Sequence, residues 1–288
     1  MLRHLFTKPV IKFLAAGLLL ILLAVCGVLI FVRTHTVHVP VLMYHHIDRN
    51  VGNDMIVSPE RLEEQIAALA GDGWHSVSIQ QLIDYVDHGT PLPEKPVLIT
   101  FDDGYTSNLT LAAPILEKYG QRAVIYVIGI NAGQEVYAHT GEPLSPPRFA
   151  LEDAIPYIQS GVVELQSHTF DLHQRSDYAI SGRDGVLPIP GESKKVYMAA
   201  ILEDARQQQE LFSEKLGIPI TSLAYPFGLC CDESEAVMKD LGIRVTHTTF
   251  PGNNPVRQYV PSSLRQLYRH TITDRVTGQE LLTLISQP

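Results

Sequence analysis

Two adjacent carboxylates are the most distinctive chemical feature of this sequence. Asp102 and Asp103 lie in the motif Thr-Phe-Asp-Asp-Gly-Tyr at residues 100–105. Neighbouring side chains of an extended segment point in different directions, so one carboxylate can bind a metal ion while the other faces a bound water. The alternative is an Asp-Gly turn that caps the next helix.

Two histidines five residues apart form the second candidate group. His168 follows the apolar run 162–166 directly, and His173 lies on the loop beyond it. Together with Asp103 they would offer two imidazoles and one carboxylate and leave coordination positions open. This set suits a catalytic Zn²⁺ and equally a non-haem Fe(II) centre. Two surface histidines on a loop are the alternative.

A third segment, Ala-Tyr-Pro-Phe-Gly at residues 224–228, follows another apolar run. Proline and glycine restrict the backbone of such a turn, so a main-chain N–H there can face a developing oxyanion. The same turn can also simply connect two elements.

The fourth segment places two histidines, His45 and His46, at the end of the first apolar run. In an alternating strand one of them faces the sheet layer and the other faces the open end of the fold. An imidazole at that end is a natural proton donor near neutral pH.

The elements that must position these residues alternate between strand-like apolar runs and helical patterns, which is typical of βα units with a mainly parallel sheet. The predicted strands are 39–45, 75–78, 96–101, 123–128, 162–166, 222–225, 243–246 and 267–272. The first predicted helix begins after the Ser58 N-cap, and the second lies around Leu82. The remaining predicted helices span residues 109–119, 151–159, 195–216, 232–241 and 278–285. The fold class is therefore α/β, and the count favours a distorted (β/α) barrel, in which active sites lie at the carboxyl ends of the strands.

Two long polar loops interrupt this pattern, at 131–148 and 174–194. Loops of this length in a compact domain are more often functional than idle.

The first part of the chain predicts a membrane anchor. Phe13–Val32 contains no charged residue and, as a helix, matches the hydrocarbon thickness of a bilayer. A cleaved signal peptide should end in a small-x-small site, which residues 31–35 lack. Val25 before Cys26 also disfavours a lipoprotein. The basic flank predicts a cytoplasmic segment 1–12, a transmembrane helix 13–32 and an extracytoplasmic domain 33–288.

The charge is divided by region. Lys and Arg number 22 against 31 Asp and Glu, and four of the basic residues but none of the acidic ones lie in the first 36 positions. An acidic domain argues against nucleic acid as a partner. Three cysteines, two of them adjacent at Cys230 and Cys231, do not make a disulfide framework, so a hydrophobic core must hold the fold.

Taken together, the four segments resemble the polysaccharide deacetylase family, carbohydrate esterase family 4. The resemblance extends over essentially all of the chain after the anchor, in the family's motif order. Within the family, the sequence resembles above all the poly-N-acetylglucosamine deacetylase branch. That branch also begins with a strand ending in Tyr-His and spaces its metal histidines by five. The resemblance implies a distorted (β/α) barrel that binds one divalent metal, Zn²⁺ first among the candidates, and acts on a polysaccharide.

The resemblance also implies a role for each site residue. Asp102 is expected to be the general base and His45 the general acid, and the Phe227 amide is expected to help form the oxyanion hole. The expected metal ligands are Asp103, His168 and His173. The expected substrate contacts are Tyr105, Tyr225 and Pro226.

Three departures from the wider family stand out. Its histidine motif is one residue shorter than His168 to His173, and the longer spacing supports the branch assignment. Its third motif usually opens with an Arg that pairs with the catalytic Asp, but here Ala224 stands in that place. Its last motif, Leu-x-His, has no convincing match, and the segment Arg269-His270 is the nearest candidate.

The predicted function is metal-assisted removal of N-acetyl groups from an N-acetylglucosamine-containing polysaccharide, an exopolysaccharide or peptidoglycan, at the cell surface. Two alternatives remain open: an O-acetyl esterase acting on a wall or plant glycan, and a surface glycan-binding protein with a degenerate site. A non-haem oxygenase is least favoured, because nothing else in the sequence indicates a cosubstrate pocket.

Overall fold

The computed structural model describes residues 16–22, 25, 27, 34–175 and 181–286. The chain divides into two compact units, Met1–Val37 and His38–Pro288. In the first unit, the described residues up to 27 are helical, and the rest of the predicted span 13–32 lies outside the described residues. Within the part of the chain that is described, no helix is long and apolar enough to cross a membrane.

The second unit is built on a curled, mostly parallel sheet. Its strands are β1 (Thr36–Tyr44), β4 (His75–Ser76), β5 (Pro96–Phe101), β6 (Ala123–Val127), β7 (Val163–Ser167), β8 (Ser222–Ala224), β9 (Val245–His247), β10 (Asn253–Arg257) and β11 (His270–Thr271). A separate two-stranded ribbon consists of β2 (His46–Ile47) and β3 (Ile56–Val57).

Helices connect these strands. They are α1 (Pro59–Gly71), α2 (Ile79–His88), α3 (Ala113–Lys118), α4 (Ile155–Gln159), α5 (Lys194–Leu216), α6 (Asp232–Asp240) and α7 (Gly278–Ile285). A π-helical turn, Asn108–Ala112, leads into α3.

The sheet comes close to forming a ring. The main strand order is β10-β1-β5-β6-β7-β8-β9, and β11 pairs in parallel with β1. A parallel bridge between His247 and Leu267 links β9 to the segment that continues into β11. Leu267 donates its N–H to the Thr246 carbonyl, and the Leu267 carbonyl accepts from Thr248. The predicted distorted (β/α) barrel is therefore supported, and residues 267–271 bring its two ends together.

Local sequence accounts for the helix boundaries. Ser58 accepts a hydrogen bond from the Arg61 N–H, and Pro59 fills the first helical position of α1. At α2 a capping box joins Ser78 and Gln81, and Gly89 ends the helix in the left-handed conformation. These signals depend on residues only a few positions apart, which is why the sequence predicts them well.

The core lies between the ring and its surrounding helices. All six residues of β5 and all five of β6 are buried, as expected for parallel strands covered on both faces. Phe212 of α5 and Ile66 of α1 are fully buried against this core. Cys230 and Cys231 are both free, so neither thiol links this core covalently to another element.

The differences from the predicted elements are local. The predicted strands 162–166 and 243–246 are shifted toward the site, where they form β7 and β9: each begins later than predicted and ends one residue farther along. The ribbon and β10 were not predicted, because their short runs carry little alternation. The 131–148 loop contains an antiparallel bridge between Val136 and Pro143.

Candidate active site

The four predicted segments meet at the carboxyl ends of the parallel strands. Asp102 and Asp103 follow β5, His168 follows β7, and the turn around Phe227 follows β8. Because β5, β6, β7 and β8 are successive neighbours in the sheet, their ends lie along one edge of the ring. This is the face on which (β/α) barrels carry their active sites.

Asp102 is held by an arginine that the sequence analysis did not assign to it. Arg269 Nη1 donates to Asp102 Oδ1 at 2.7 Å, and Nη2 donates to Oδ2 at 2.8 Å. Arg269 is fully buried, and its Nε donates to the Thr248 carbonyl at 2.8 Å. A bidentate pair of this kind fixes the plane of the carboxylate as well as its position.

Asp102 stays ionised despite its burial. Burial favours the protonated acid, but the positive charge and hydrogen bonds of Arg269, with the charge of His168, outweigh that effect and hold the pKa of Asp102 well below its usual value. The carboxylate is therefore a fixed acceptor at the site across the physiological pH range.

Asp103 turns away from its neighbour. Its φ of 72° is in the left-handed region, which non-glycine residues rarely adopt. Asp103 Oδ1 lies 3.6 Å from His168 Nε2 and 3.5 Å from His173 Nε2. This oxygen is buried and lacks a hydrogen-bond partner within the described part of the chain.

Asp103, His168 and His173 together could hold a metal ion, since their ligand atoms all lie within 4.8 Å of one another. An unpartnered buried carboxylate oxygen is costly unless a cation satisfies it. One carboxylate and two imidazoles are suitable ligands for Zn²⁺ and for other divalent transition metals. The residues therefore fit the predicted metal.

The surroundings of the two histidines prepare them as ligands. His168 Nδ1 lies 2.7 Å from the Ala224 carbonyl, so Nδ1 carries the proton and Nε2 presents its lone pair to the site. Burial lowers the pKa of His173 to about 4, although the charge of Asp103 opposes the shift. A neutral His173 can bind a cation without first losing a proton.

A buried carboxylate on α5 shapes the loop that carries both histidines. Asp204 Oδ2 accepts the Phe170 N–H at 3.0 Å, and Oδ1 accepts the Asp171 N–H at 2.7 Å. Thr169 in the same loop has a φ of 72°, a strained conformation that surrounding contacts must maintain. Burial raises the pKa of Asp204 to about 6, and its backbone hydrogen bonds act in the opposite direction.

The next helical turn of α5 supports the neighbouring loop. Gln208 donates to the Val127 carbonyl at 2.9 Å. A Cβ added at Gly129 would lie 2.0 Å from Gln208 Oε1 and 2.7 Å from Phe170, so only glycine allows these groups to approach. Asp204 and Gln208 thus fix the chain after β7 and β6, respectively.

The turn after β8 has the predicted Pro-Gly geometry. Phe227 has a φ of 58°, and the amides of Gly228 and Leu229 donate to Tyr225 and Pro226 within the turn. The Phe227 ring lies 4.7 Å from the His173 ring between centroids. The side chain of the residue predicted to supply the oxyanion donor is therefore a neighbour of a predicted metal ligand.

The predicted substrate contacts are placed differently from one another. Tyr225 is fully buried, and its hydroxyl donates to Glu235 at 2.7 Å. Pro226 is also buried. These positions beneath the turn do not favour contact of either side chain with substrate. Tyr105 is partly exposed, and the Arg148 guanidinium lies 3.6 Å from its ring centroid.

His45 faces the site, whereas His46 packs beside it. The charges of Asp102, Asp103 and Arg269 all act on His45, and burial is the largest effect and leaves its pKa below the usual value. His46 Nδ1 lies 2.9 Å from Ser107 Oγ, and its ring lies 4.9 Å from that of Tyr105. The two adjacent histidines therefore have different surroundings.

Two residues of the site were missed by the sequence analysis. Arg269 was noted only as a weak match to the last family motif, and Asp204 was not singled out. The signal for Arg269 was Ala224, which stands where an Arg that pairs with the catalytic Asp is usual and so implied that the partner of Asp102 comes from elsewhere in the chain. Asp204 carries no such signal, because its partners are backbone amides.

The family is decided by the sequence between the second helix and β9. A family model described as polysaccharide deacetylase matches residues 89–246. The chain belongs to the polysaccharide deacetylase family. This assignment agrees with the motif at residues 100–105 and with the position of its carboxylates at the end of β5.

Curated relatives of this deacetylase-family chain carry a more specific name. This chain is 27% identical over 228 residues to the poly-β-1,6-N-acetyl-D-glucosamine N-deacetylase of Escherichia coli K12. The match covers 73% of this chain and 34% of that protein. The chain is 26% identical over 188 residues to the enzyme of the same name from Staphylococcus aureus MSSA476, covering 65% and 59%. The chain therefore spans less than two thirds of the length of these relatives.

A solved structure supports the fold. The de-N-acetylase from Aggregatibacter actinomycetemcomitans superposes with a TM-score of 0.73 at 23% identity, covering 86% of this chain and all of that one. The ring of strands with its outer helices is thus the fold of known deacetylases.

We predict that Asp204→Ala weakens Zn²⁺ binding by about tenfold or more, the usual effect of losing support behind metal ligands. The free N–H groups of Phe170 and Asp171 would no longer hold the loop. Competition with a chromophoric chelator measures the affinity of the apoprotein.

Asp204→Asn, which keeps the side-chain shape and one acceptor oxygen, should lose less affinity than Asp204→Ala. Glu203→Gln, on the same helix but with its carboxylate in an exposed contact to Gln207, serves as the control. Unchanged affinity in a folded Asp204→Ala variant would contradict the prediction.

Proposed function

We propose that this protein is a metal-dependent N-deacetylase acting on N-acetylglucosamine-containing polysaccharide, exopolysaccharide or peptidoglycan, at the cell surface. One observation carries the proposal: of two adjacent buried carboxylates, Asp102 is fixed by Arg269 and Asp103 is turned toward two histidines. The names of the two curated relatives support an N-acetylglucosamine polymer as substrate.

Asp103, His168 and His173 would hold the metal. A divalent ion bound there would supply Lewis acidity for the acetyl carbonyl and would make the attacking water more acidic. Zn²⁺ is the first candidate for this donor set.

Asp102 accepts the proton of the attacking water. Arg269 contributes by holding the carboxylate ionised and in one orientation, so little reorganisation is needed when the proton arrives. As the carbonyl becomes tetrahedral, its oxygen gains negative charge. The Phe227 N–H, held by the strained turn after β8, stabilises that charge.

His45 protonates the departing amine. The bond between the acetyl carbon and nitrogen then breaks, leaving acetate and a glucosamine unit whose nitrogen has taken the proton. His45 is suited to this step because the charges of both carboxylates favour its protonated form, although burial keeps its pKa below the usual value.

The domain 33–288 would act outside the cytoplasm, tethered by the segment 13–32. The uncharged run of 20 residues and its basic flank at Arg3, Lys8 and Lys12 support this location. Such a position gives access to a surface polymer.

The first test measures acetate released from N-acetylglucosamine oligomers and wall fragments by the full chain. We expect Asp103→Ala, His168→Ala and His173→Ala to lose both metal and activity. Asp102→Asn should keep its metal and lose rate by roughly 10²- to 10⁴-fold, the range for removing a general base. Elemental analysis of each purified variant measures the metal.

The two carboxylate roles would be reversed if Asp102→Asn were empty of metal while Asp103→Ala stayed loaded. Faster release of acetate from O-acetylated than from N-acetylated sugars would favour the esterase. Bound metal without any acetate release would favour a glycan-binding protein.

His45→Ala should abolish the alkaline limb of the pH profile of kcat/KM while metal content stays unchanged. An acid works only when protonated, and burial lowers the pKa of His45. The wild-type activity should therefore fall as pH rises through a value below the usual 6.5 of histidine. His46→Ala is the matched control, and it should alter stability through Ser107 without removing the limb. If His46→Ala abolished activity and His45→Ala did not, the general acid would be His46 and not His45.

The location is tested by adding protease to intact cells that make the full chain. We expect the domain to be digested without lysis, since the basic flank keeps the first twelve residues inside. Replacing Arg3, Lys8 and Lys12 together with Glu should reduce the digested fraction. A wild-type domain that is cleaved only after lysis would refute the proposed orientation.

A further inference from the structure

The second long loop of the chain packs against the turn that carries Phe227. The N–H of Gly185, a buried residue of this loop, donates to the Gln174 carbonyl at 2.8 Å, immediately after His173. A Cβ added at Gly185 would lie 3.2 Å from the Pro226 carbonyl oxygen and 3.6 Å from the Phe227 ring. Gly185 therefore lies directly against the turn that follows β8.

A buried ion pair gives this part of the loop a defined shape. Arg183 Nη1 donates to Glu192 Oε2 at 2.9 Å, and Nη2 donates to Oε1 at 2.7 Å. The two side chains are 4% and 9% exposed, and Arg183 Nη1 also donates to the Leu187 carbonyl at 2.8 Å. A bidentate pair fixes the orientation of both partners as well as their distance, so it closes residues 183–192, which we call the 183–192 loop.

The 183–192 loop is also anchored to a helix. Val186 is fully buried, and its carbonyl accepts a hydrogen bond from the Tyr197 hydroxyl of α5 at 2.8 Å. Because Val186 follows Gly185 directly, this anchor keeps Gly185 against the turn.

The Pro226 carbonyl and the Phe227 N–H belong to the same peptide unit. Since a trans peptide is planar, its carbonyl oxygen and its N–H point in opposite directions. Inside the turn, the Leu229 N–H donates to the Pro226 oxygen at 3.1 Å, and Gly185 confines that oxygen from outside. These two contacts therefore also fix the direction of the Phe227 N–H.

Thr249 confines the other side of the turn. Its hydroxyl donates to the Phe227 carbonyl at 3.2 Å, and a Cβ added at Gly228 would lie 2.5 Å from the Thr249 nitrogen. The peptide units before and after Phe227 are thus held from different elements, the first by the 183–192 loop and the second by Thr249.

We propose that Gly185 is a positioning residue for the oxyanion hole, because the 183–192 loop orients the Pro226–Phe227 peptide unit so that its N–H faces the developing oxyanion. This inference rests on the proposed function for the role of that N–H. Glycine suits position 185 for two reasons. Its φ of 54° is in the left-handed region, and any Cβ would press on the Pro226 oxygen.

Gly185→Ala is the main test, because the added methyl group must displace its neighbour by a few tenths of an ångström. Gly182→Ala and Gly191→Ala are the matched controls. Both glycines lie in or beside the same loop with positive φ, 67° and 83°, and a Cβ on either would meet nothing within 4 Å. All three variants carry the strain of a left-handed alanine, so contact with the turn is what distinguishes them.

We expect Gly185→Ala to lower kcat for acetate release from N-acetylglucosamine oligomers by about tenfold, since a small displacement weakens a donor that acts in the transition state. KM and the metal content should stay within about twofold of wild type, and both controls should keep the wild-type kcat. Unchanged kcat in Gly185→Ala, an equal loss in the controls, or a rise in KM without a loss of kcat would overturn the inference.

Nuclear magnetic resonance of the full chain observes the same peptide unit without using activity. The dipeptide Pro-Phe occurs once in the sequence, at residues 226–227, so labelling with carbonyl-¹³C proline and ¹⁵N phenylalanine gives a single carbonyl–amide correlation. This signal should shift in Gly185→Ala and in Glu192→Gln, which weakens the ion pair that closes the loop, and should keep its position in Gly182→Ala.

The same signal separates this inference from the proposed activity. If the wild type releases no acetate but the signal shifts in Gly185→Ala and not in the controls, the loop orients the turn and the proposed activity is wrong. A signal that moves equally in Gly185→Ala and both controls, or in none of them, would show that the 183–192 loop does not orient this peptide unit.

Discussion

The buried ion pair between Arg269 and Asp102 is the interaction on which the rest of the site depends. Arg269 comes from the segment that brings β9 toward β11, and Asp102 ends β5. The pair therefore joins the closure of the ring to its reactive edge. Removing either partner of a buried pair leaves an uncompensated charge and costs about 3–5 kcal/mol, so the orientation of the base and the closure of the fold are maintained together.

Three of the six described non-glycine residues with positive φ lie where the chemistry is expected. Asp103, Thr169 and Phe227 all have positive φ, and each lies at or beside a proposed metal ligand or oxyanion donor. Such conformations persist only where surrounding contacts fix them. Asp204 supplies those contacts for the histidine loop, and the Pro-Gly turn supplies them for Phe227. As a result, the adjacent carboxylates of Asp102 and Asp103 have different partners: Arg269 for the first and the two histidines for the second.

The loop that carries the metal histidines is also tied to the 131–148 loop. Asp171 accepts from His139 at its side chain and donates to Asp204 through its backbone, so one residue links the loop of the metal histidines, α5 and the 131–148 loop. The loop of the metal histidines is thus held from two sides, by α5 and by the 131–148 loop.

The sequence by itself determined the features that depend on neighbouring residues. The Ser58 cap, the limits of β5 and α7, the α/β class and the segments that carry Asp103, His168 and His173 could all be predicted, because each rests on local periodicity or a short motif. The tertiary structure decided which Arg reaches Asp102, 167 residues away, how Asp204 holds its loop, and that Tyr225 is buried. In a ring of strands a guanidinium can reach the same carboxylate from different strands, and only the three-dimensional arrangement fixes which one does.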